Sequence, residues 1–154
     1  MDPKGVIFTS GGSESNNTVL NAMPEYAKKA GRSVIVTTAI EHPCVLEASR
    51  RLVNNFGMEV IYLPVDEYGT VDMDAYKAAL EKKLLLVSIM TANNEIGTIQ
   101  DVKTLCAMAH QAGALFHTDA VQAVGKIPVD LKDWDVDYAT ISGHKIYGPK
   151  GIGA

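Results

Sequence analysis

The sequence predicts an α/β fold: three α/β/α layers built on a mostly parallel central sheet. Two features carry that expectation. Short apolar runs alternate with amphipathic helical segments along the chain, joined by short connections. Residues 84–90 are almost wholly apolar, the pattern of a strand covered on both faces.

In chain order, residues 6–9 read as a strand, followed by Ser10-Gly11-Gly12-Ser13 and a helix opening near Glu14. Ser13 suits the N-cap, and Glu14 suits the positive end of the helix dipole. Pro24 is expected to break or kink this helix before Gly31 ends it. Residues 33–38 form the next strand. Pro43 takes the favoured first position of a helix whose apolar face is Val45, Ser49, Leu52 and Phe56, with Gly57 after its end. Residues 59–63 make a strand, residues 66–69 a turn, and Asp72 caps a short helix through Lys82. Beyond the central strand and the loop 91–100, Asp101 caps a helix that turns Val102, Leu105, Ala109 and Ala112 inward and closes at Gly113. Residues 114–118 lead to Asp119. Residues 138–141 read as a last buried strand, which delivers Ser142-Gly143-His144-Lys145 and a Gly/Pro-punctuated turn from Gly148 to Gly153.

Composition narrows the function. A chain of 154 residues suffices for one domain, 1–154, with a sizeable core. A hydrophobic fraction of 47% with 21% charged residues is ordinary for a globular protein. The net charge of -4, without a basic cluster, argues against nucleic acid or an anionic membrane as partner. Residues 1–5 lack a leader's apolar core, and no run approaches the roughly 20 apolar residues of a membrane span. Cys44 and Cys106 lie far apart without metal-ligand spacing, which fits a reduced, cytoplasmic setting. The chain stops within an apolar stretch, Ile152-Gly153-Ala154, as expected of a piece of a larger protein whose uncovered apolar surface favours self-association.

In open α/β sheets ligands bind beyond the carboxyl ends of the strands. The segments expected there are Gly11-Gly12-Ser13, Glu41-His42, Asn93-Asn94-Glu95, Asp119 with Gln122, and Ser142-His144-Lys145. Each has a structural reading: a tight turn, a helix cap, a loop brace. Together they ask for one ligand. Exposed helix amides beyond a glycine turn suit an anion. Burial of Lys145 at a strand mouth would favour the neutral amine, a nucleophile for an aldehyde. Asp119, costly to bury without a partner, suits a basic ring nitrogen. The helix start behind His42 would disfavour its charged form and keep it a candidate base. Pyridoxal 5'-phosphate carries the phosphate, the aldehyde and the pyridine nitrogen.

The ordered segments Phe8-Thr9-Ser10-Gly11-Gly12-Ser13-Glu14-Ser15-Asn16-Asn17, Glu41-His42-Pro43, Asn93-Asn94-Glu95-Ile96-Gly97-Thr98, His117-Thr118-Asp119-Ala120-Val121-Gln122 and Ser142-Gly143-His144-Lys145-Ile146-Tyr147-Gly148-Pro149-Lys150-Gly151-Ile152-Gly153 resemble cysteine desulfurases of the NifS/IscS-like branch. These are class V, fold type I enzymes with the aspartate-aminotransferase-like fold. The resemblance implies that Lys145 bonds the cofactor's aldehyde, and that Gly12, Ser13, Ser142 and His144 hold its phosphate. It implies that His42 stacks on the ring and moves protons, that Asp119 pairs with the ring nitrogen, and that Gln122 and Asn94 contact the phenolic oxygen and the substrate region. It also implies a homodimeric parent that takes sulfur from L-cysteine, leaves alanine, and passes a persulfide to an acceptor or scaffold protein for iron–sulfur cluster assembly. Neither Cys44 nor Cys106 matches the family's sulfur-accepting cysteine, and the small domain lies beyond Ala154. The expected chain is therefore most of the cofactor-binding large domain, with weak cofactor affinity and no complete reaction of its own. The alternatives are another class V enzyme, such as a small-amino-acid transaminase or selenocysteine lyase, and a catalytically inert truncated domain.

Overall fold

The structure, a computed structural model, describes residues 3–154. Met1 and Asp2, the start of the stretch read as lacking a leader, lie outside the described residues. Strands β1 (Val34–Thr38), β2 (Glu59–Leu63), β3 (Leu84–Ser88), β4 (Leu115–Asp119) and β5 (Tyr138–Thr140) form one sheet in the order β2-β1-β3-β4-β5. Every neighbouring pair is parallel. After β1 the chain moves outward to β2; after β3 it moves the opposite way to β4. The carboxyl ends of β1 and β3 therefore flank a topological switch point, where the connections diverge.

Two apolar clusters make the layers. Helices α1 (Gly12–Ala30) and α2 (Pro43–Phe56) bury Leu20, Met23, Val45, Ala48 and Leu52 against Ile35, Leu85 and Leu86. Helices α3 (Met73–Leu80) and α4 (Val102–Gln111) bury Tyr76, Leu105 and Ala109 against Val34, Val36, Val87 and Phe116. Ile35 and its neighbours thus part to opposite faces, as strand alternation requires. Between Val34 and Ile35 the register with β3 advances from Leu84 to Leu86, so Leu85 is a bulge residue. No helix among the described residues is long and apolar enough to cross a membrane.

Several expectations need correction. Residues 6–9 form no strand: Thr9 makes only an isolated antiparallel bridge to Gly153, and Val6, Ile7 and Phe8 are exposed. An apolar run becomes a strand only where a ladder partner is present. Gly11, rather than Ser13, stands at the N-cap of α1, and the helix passes uninterrupted through Pro24. Burial of Leu20 and Met23 on the preceding turn supplies packing that outweighs the roughly 3 kcal/mol propensity penalty of an interior proline. Phe56 lies 54% exposed, while Ala48 occupies the inner face of α2. Helix α3 ends at Leu80, two residues early. Ala112 is only partly buried, and Cys106 joins the core instead. β5 is an edge strand with Tyr138 half exposed rather than a buried one. A short helix α5 (Leu131–Trp134) was not anticipated, although Asp130 caps it through the amides of Lys132 and Asp133.

Candidate functional site

The start of α1 is seated between two strand ends. A Cβ placed on Gly12 would lie 2.7 Å from Val121 Cγ2 and 3.5 Å from Ser142 Cβ, so glycine lets the helix N-terminus meet the loops after β4 and β5. Ser13 is exposed on the first turn. Glu14 folds back to accept the Ser10 amide at 2.6 Å. Ser142 is buried, with its Oγ 3.0 Å from His144 Nδ1. The turn after His144 returns as a strap: Thr9 and Gly153 exchange two backbone bonds of 2.9 Å, and the Gly143 amide donates to Ile152 O at 2.9 Å. Gly12, Ser13, Ser142 and His144 are thus gathered around one helix end.

Gly153 closes that strap. An added Cβ would sit 2.7 Å from Gly11 Cα and 2.9 Å from Ile141 O, backbone atoms that cannot yield locally. Gly153→Ala should cost about 1–3 kcal/mol, the usual range for overpacking. It should also speed amide hydrogen exchange at Thr9 and Gly153, while exchange in β1 and β3 stays at the wild-type rate relative to global stability.

Asp119 ends β4 at 6% exposure. Its Oδ1 accepts the Val121 amide at 2.9 Å and its Oδ2 accepts Asn16 Nδ2 at 2.7 Å. Burial pushes its carboxyl above the ordinary range, against the Asn16 and Val121 hydrogen bonds and nearby His42. Asn16, one turn into α1 and 1% exposed, was missed by the sequence reading as a site residue. Its spacing of four from Gly12, which puts both on one helix face, was the available signal. His42 caps α2: its Nδ1 accepts the Cys44 amide at 3.2 Å and lies 3.0 Å from Cys44 Sγ. Cys44 Sγ in turn accepts Asn16 Nδ2 at 3.4 Å, which joins His42 to Asp119 through two side chains.

Glu41 stands beside His42 in the same loop. It is buried, accepting Thr38 Oγ1 at 2.7 Å and the Met90 amide at 3.0 Å, so it ties the loop after β1 to the end of β3. Burial pushes its carboxyl up to about 8.

Three expected members stand apart from this network. Lys145 is exposed, not buried, because the strand before it ends at Thr140 and residues Gly143–Ile146 turn outward in a short 3-10 helix. Its backbone amide bonds Ser142 O at 3.1 Å, which keeps its Cα beside the glycine turn. Asn94 is half-buried and donates to Glu95 Oε1 at 2.6 Å. Gln122 is half-buried and accepts the Lys126 ammonium. A separate cleft of about 700 Å³ runs along β5, lined by Val6, Ile7, Val19, Tyr138 and Ile141 among others.

The family model for aminotransferase class V matches residues 1–154. The chain belongs to the class V aminotransferase family. Within the class V aminotransferases it is 52% identical over 149 residues to a cysteine desulfurase of Gluconacetobacter diazotrophicus, covering 97% of this chain and 37% of that protein. It is 51% identical over 154 residues to a mitochondrial cysteine desulfurase of Arthroderma benhamiae, covering 99% of this chain and 30% of that protein. A solved NifS-like protein superposes with a TM-score of 0.94 at 42% identity, over 99% of this chain and 42% of the other. The chain therefore spans about a third of the length of these curated class V relatives.

Proposed function

We propose that this chain is most of the cofactor-binding large domain of a pyridoxal 5'-phosphate-dependent cysteine desulfurase. The observation that carries the reading is Asp119: a buried carboxylate fixed at the end of β4, on the same helix end as the Gly12–Ser142–His144 cradle. Asp119 already accepts the Val121 amide and Asn16, two neutral donors, and a positively charged ring nitrogen would supply the opposite charge that a buried carboxylate favours, while the cradle offers amide and hydroxyl donors. These residues fit the cofactor's nitrogen and phosphate. Bound pyridoxal phosphate supplies an electron sink at a protonated pyridine ring.

Around it the chain's own groups divide the work. The Gly12–Ser13 amides, Ser142 Oγ and His144 bind the phosphate. Asp119 keeps the ring nitrogen's proton in place by its charge. Lys145 supplies the amine that bonds the cofactor's aldehyde, on an exposed turn from which it can swing. His42 would face the ring and serve proton transfer, and Asn94 and Gln122 would contact the phenolic edge and the neighbouring substrate region. The parent enzyme would act on L-cysteine as a cytoplasmic homodimer. It would leave alanine and pass sulfur, as a persulfide on a cysteine outside this chain, to an acceptor or scaffold protein of iron–sulfur cluster assembly. The cysteine desulfurase names and 51–52% identity of the relatives favour this over a transaminase or selenocysteine lyase.

The test is titration of the purified chain with pyridoxal phosphate. The expected result is a weak, saturable absorbance band of lysine-bound cofactor that Lys145→Ala abolishes completely, with no sustained sulfide release from cysteine. A band of equal strength in the variant overturns the assignment of Lys145. Absence of any band favours an inert domain. Robust sulfide release refutes the division of labour with the rest of the parent.

A further inference from the structure

We infer that Asn16 is a positioning residue that orders the hydrogen bonds across the site, holding Asp119 at one side and, through the Cys44 thiol, His42 at the other. The inference rests on the functional reading only for what those two groups do.

An asparagine amide nitrogen carries two protons, and here they diverge: one goes to Asp119 Oδ2 at 2.7 Å, the other to Cys44 Sγ at 3.4 Å. The amide cannot be turned over while Asp119 is ionised, because Oδ1 would then face a carboxylate. Oδ1 itself is buried and has no partner among the described residues, so nothing else fixes the side chain's orientation. The direction continues at Cys44. His42 Nδ1 receives the Cys44 backbone N–H, a group that can only donate, so Nδ1 holds a lone pair. The thiol, 3.0 Å from the same nitrogen and already accepting from Asn16, therefore turns its S–H toward Nδ1 as well, so that the amide and the thiol share its one lone pair. Donation runs one way, Asn16 to Cys44 to His42.

This changes the expected role of His42. With Nδ1 occupied by the cap, the neutral ring carries its proton on Nε2 and presents a donor to the site. Protonating Nδ1 would displace the helix cap and turn the thiol from donor to acceptor. At its Nε2 edge His42 therefore offers a hydrogen-bond donor rather than a lone pair, and to act as the expected base it must take the proton at Nδ1, at the expense of its cap. Asn16 supports the two ends together, since one amide group serves both.

Nuclear magnetic resonance of the full 154-residue chain without cofactor tests this. Carbon-13 labels report the Asp119 carboxyl, and nitrogen-15 labels report the two ring nitrogens of His42. Wild type should show Nδ1 bare and Nε2 protonated. Asn16→Leu should raise the Asp119 titration midpoint by about one pH unit, as expected when a hydrogen bond to a charged form is removed, and should shift the His42 Nδ1 resonance. Cys44→Ala should shift Nδ1 alone. If Asn16→Leu does not fold, Asn16→Ser, which shortens the side chain, carries the same expectation. A folded Asn16 variant with both resonances at wild-type positions overturns the inference, as does a protonated Nδ1 in wild type. Titrating the same samples with pyridoxal phosphate separates the two claims. Coupled shifts without a Lys145-dependent band uphold Asn16 and reject the functional reading. Unmoved resonances with the band intact do the reverse.

Discussion

Asp119→Asn should leave the fold in place and lower the turnover of the full-length parent by at least ~100-fold, the scale of losing one preorganised electrostatic contact. The reason lies in what the substitution keeps. The new amide oxygen can still accept the Val121 amide, now 2.9 Å from Oδ1. Its nitrogen would confront Asn16 Nδ2, donor against donor. Asn16 can resolve this by turning its amide over, because its Oδ1 has no other commitment among the described residues. One hydrogen bond is thereby restored and a buried charge is removed, while the 3.4 Å contact from Asn16 Nδ2 to Cys44 Sγ is given up, so the stability change should stay within about 1–2 kcal/mol. The charge opposite the cofactor's nitrogen is gone, and a neutral amide does not hold a proton there. Steady-state turnover with cysteine, beside a urea unfolding curve, distinguishes the outcomes. Turnover within a few-fold of wild type would show that Asp119 has no part in the chemistry. A large loss of stability would show that it is mainly a structural carboxylate.

The parts of the fold legible in the sequence were those with strong local signals. Asp72 and Asp101 cap the helices they were expected to cap, Pro43 begins α2, and the apolar run of β3 is fully buried. The errors fall where tertiary context decides. Pro24 is carried inside α1 by packing of the turn before it, and residues 6–9 lack a neighbour with which to make a ladder. The site was legible as loops at one sheet edge, because parallel strands point their carboxyl ends one way. What stayed hidden is how those loops are wired together. Asn16 and Glu41 sit beside residues singled out for the site, yet their role depends on partners 103 and 49 positions away. Residue type and local spacing do not encode such separations. Lys145 was expected to be buried on the strength of the strand before it, and that strand proves to be a three-residue edge.

Glu41 makes a second large effect, in stability against pH. Its carboxyl titrates near 4.5 in the unfolded chain and is raised by burial to about 8 in the fold. Between those values the folded state holds a proton that the unfolded state has released, so stability falls as pH rises. His117 acts oppositely. It is buried and neutral between Ser88 Oγ, 2.8 Å from Nδ1, and Thr140 Oγ1, 3.1 Å from Nε2, and burial lowers it from 6.5 to about 4. Over that window the unfolded state binds the extra proton, so stability falls as pH drops. The two slopes oppose each other between pH 4.5 and 6.5, and Glu41 alone of the pair continues from pH 6.5 to 8. Asp119, also raised by burial, acts in the same sense as Glu41. Glu41→Gln keeps an oxygen for the Thr38 hydroxyl and the Met90 amide but no longer titrates. Relative to wild type, the variant should therefore gain stability progressively above pH 4.5. The gain should be roughly 3 kcal/mol at pH 7, at about 1.4 kcal/mol per pH unit. Between pH 4 and 6.5 the contribution of His117, opposed in wild type, should emerge in the variant as a rise of at most about 3 kcal/mol, lessened by the opposing titration of Asp119. Urea midpoints measured from pH 4 to 8 decide this. Parallel curves for the two proteins would mean that Glu41 is ionised in the fold, paired with a positive charge that its Thr38 and Met90 contacts do not supply.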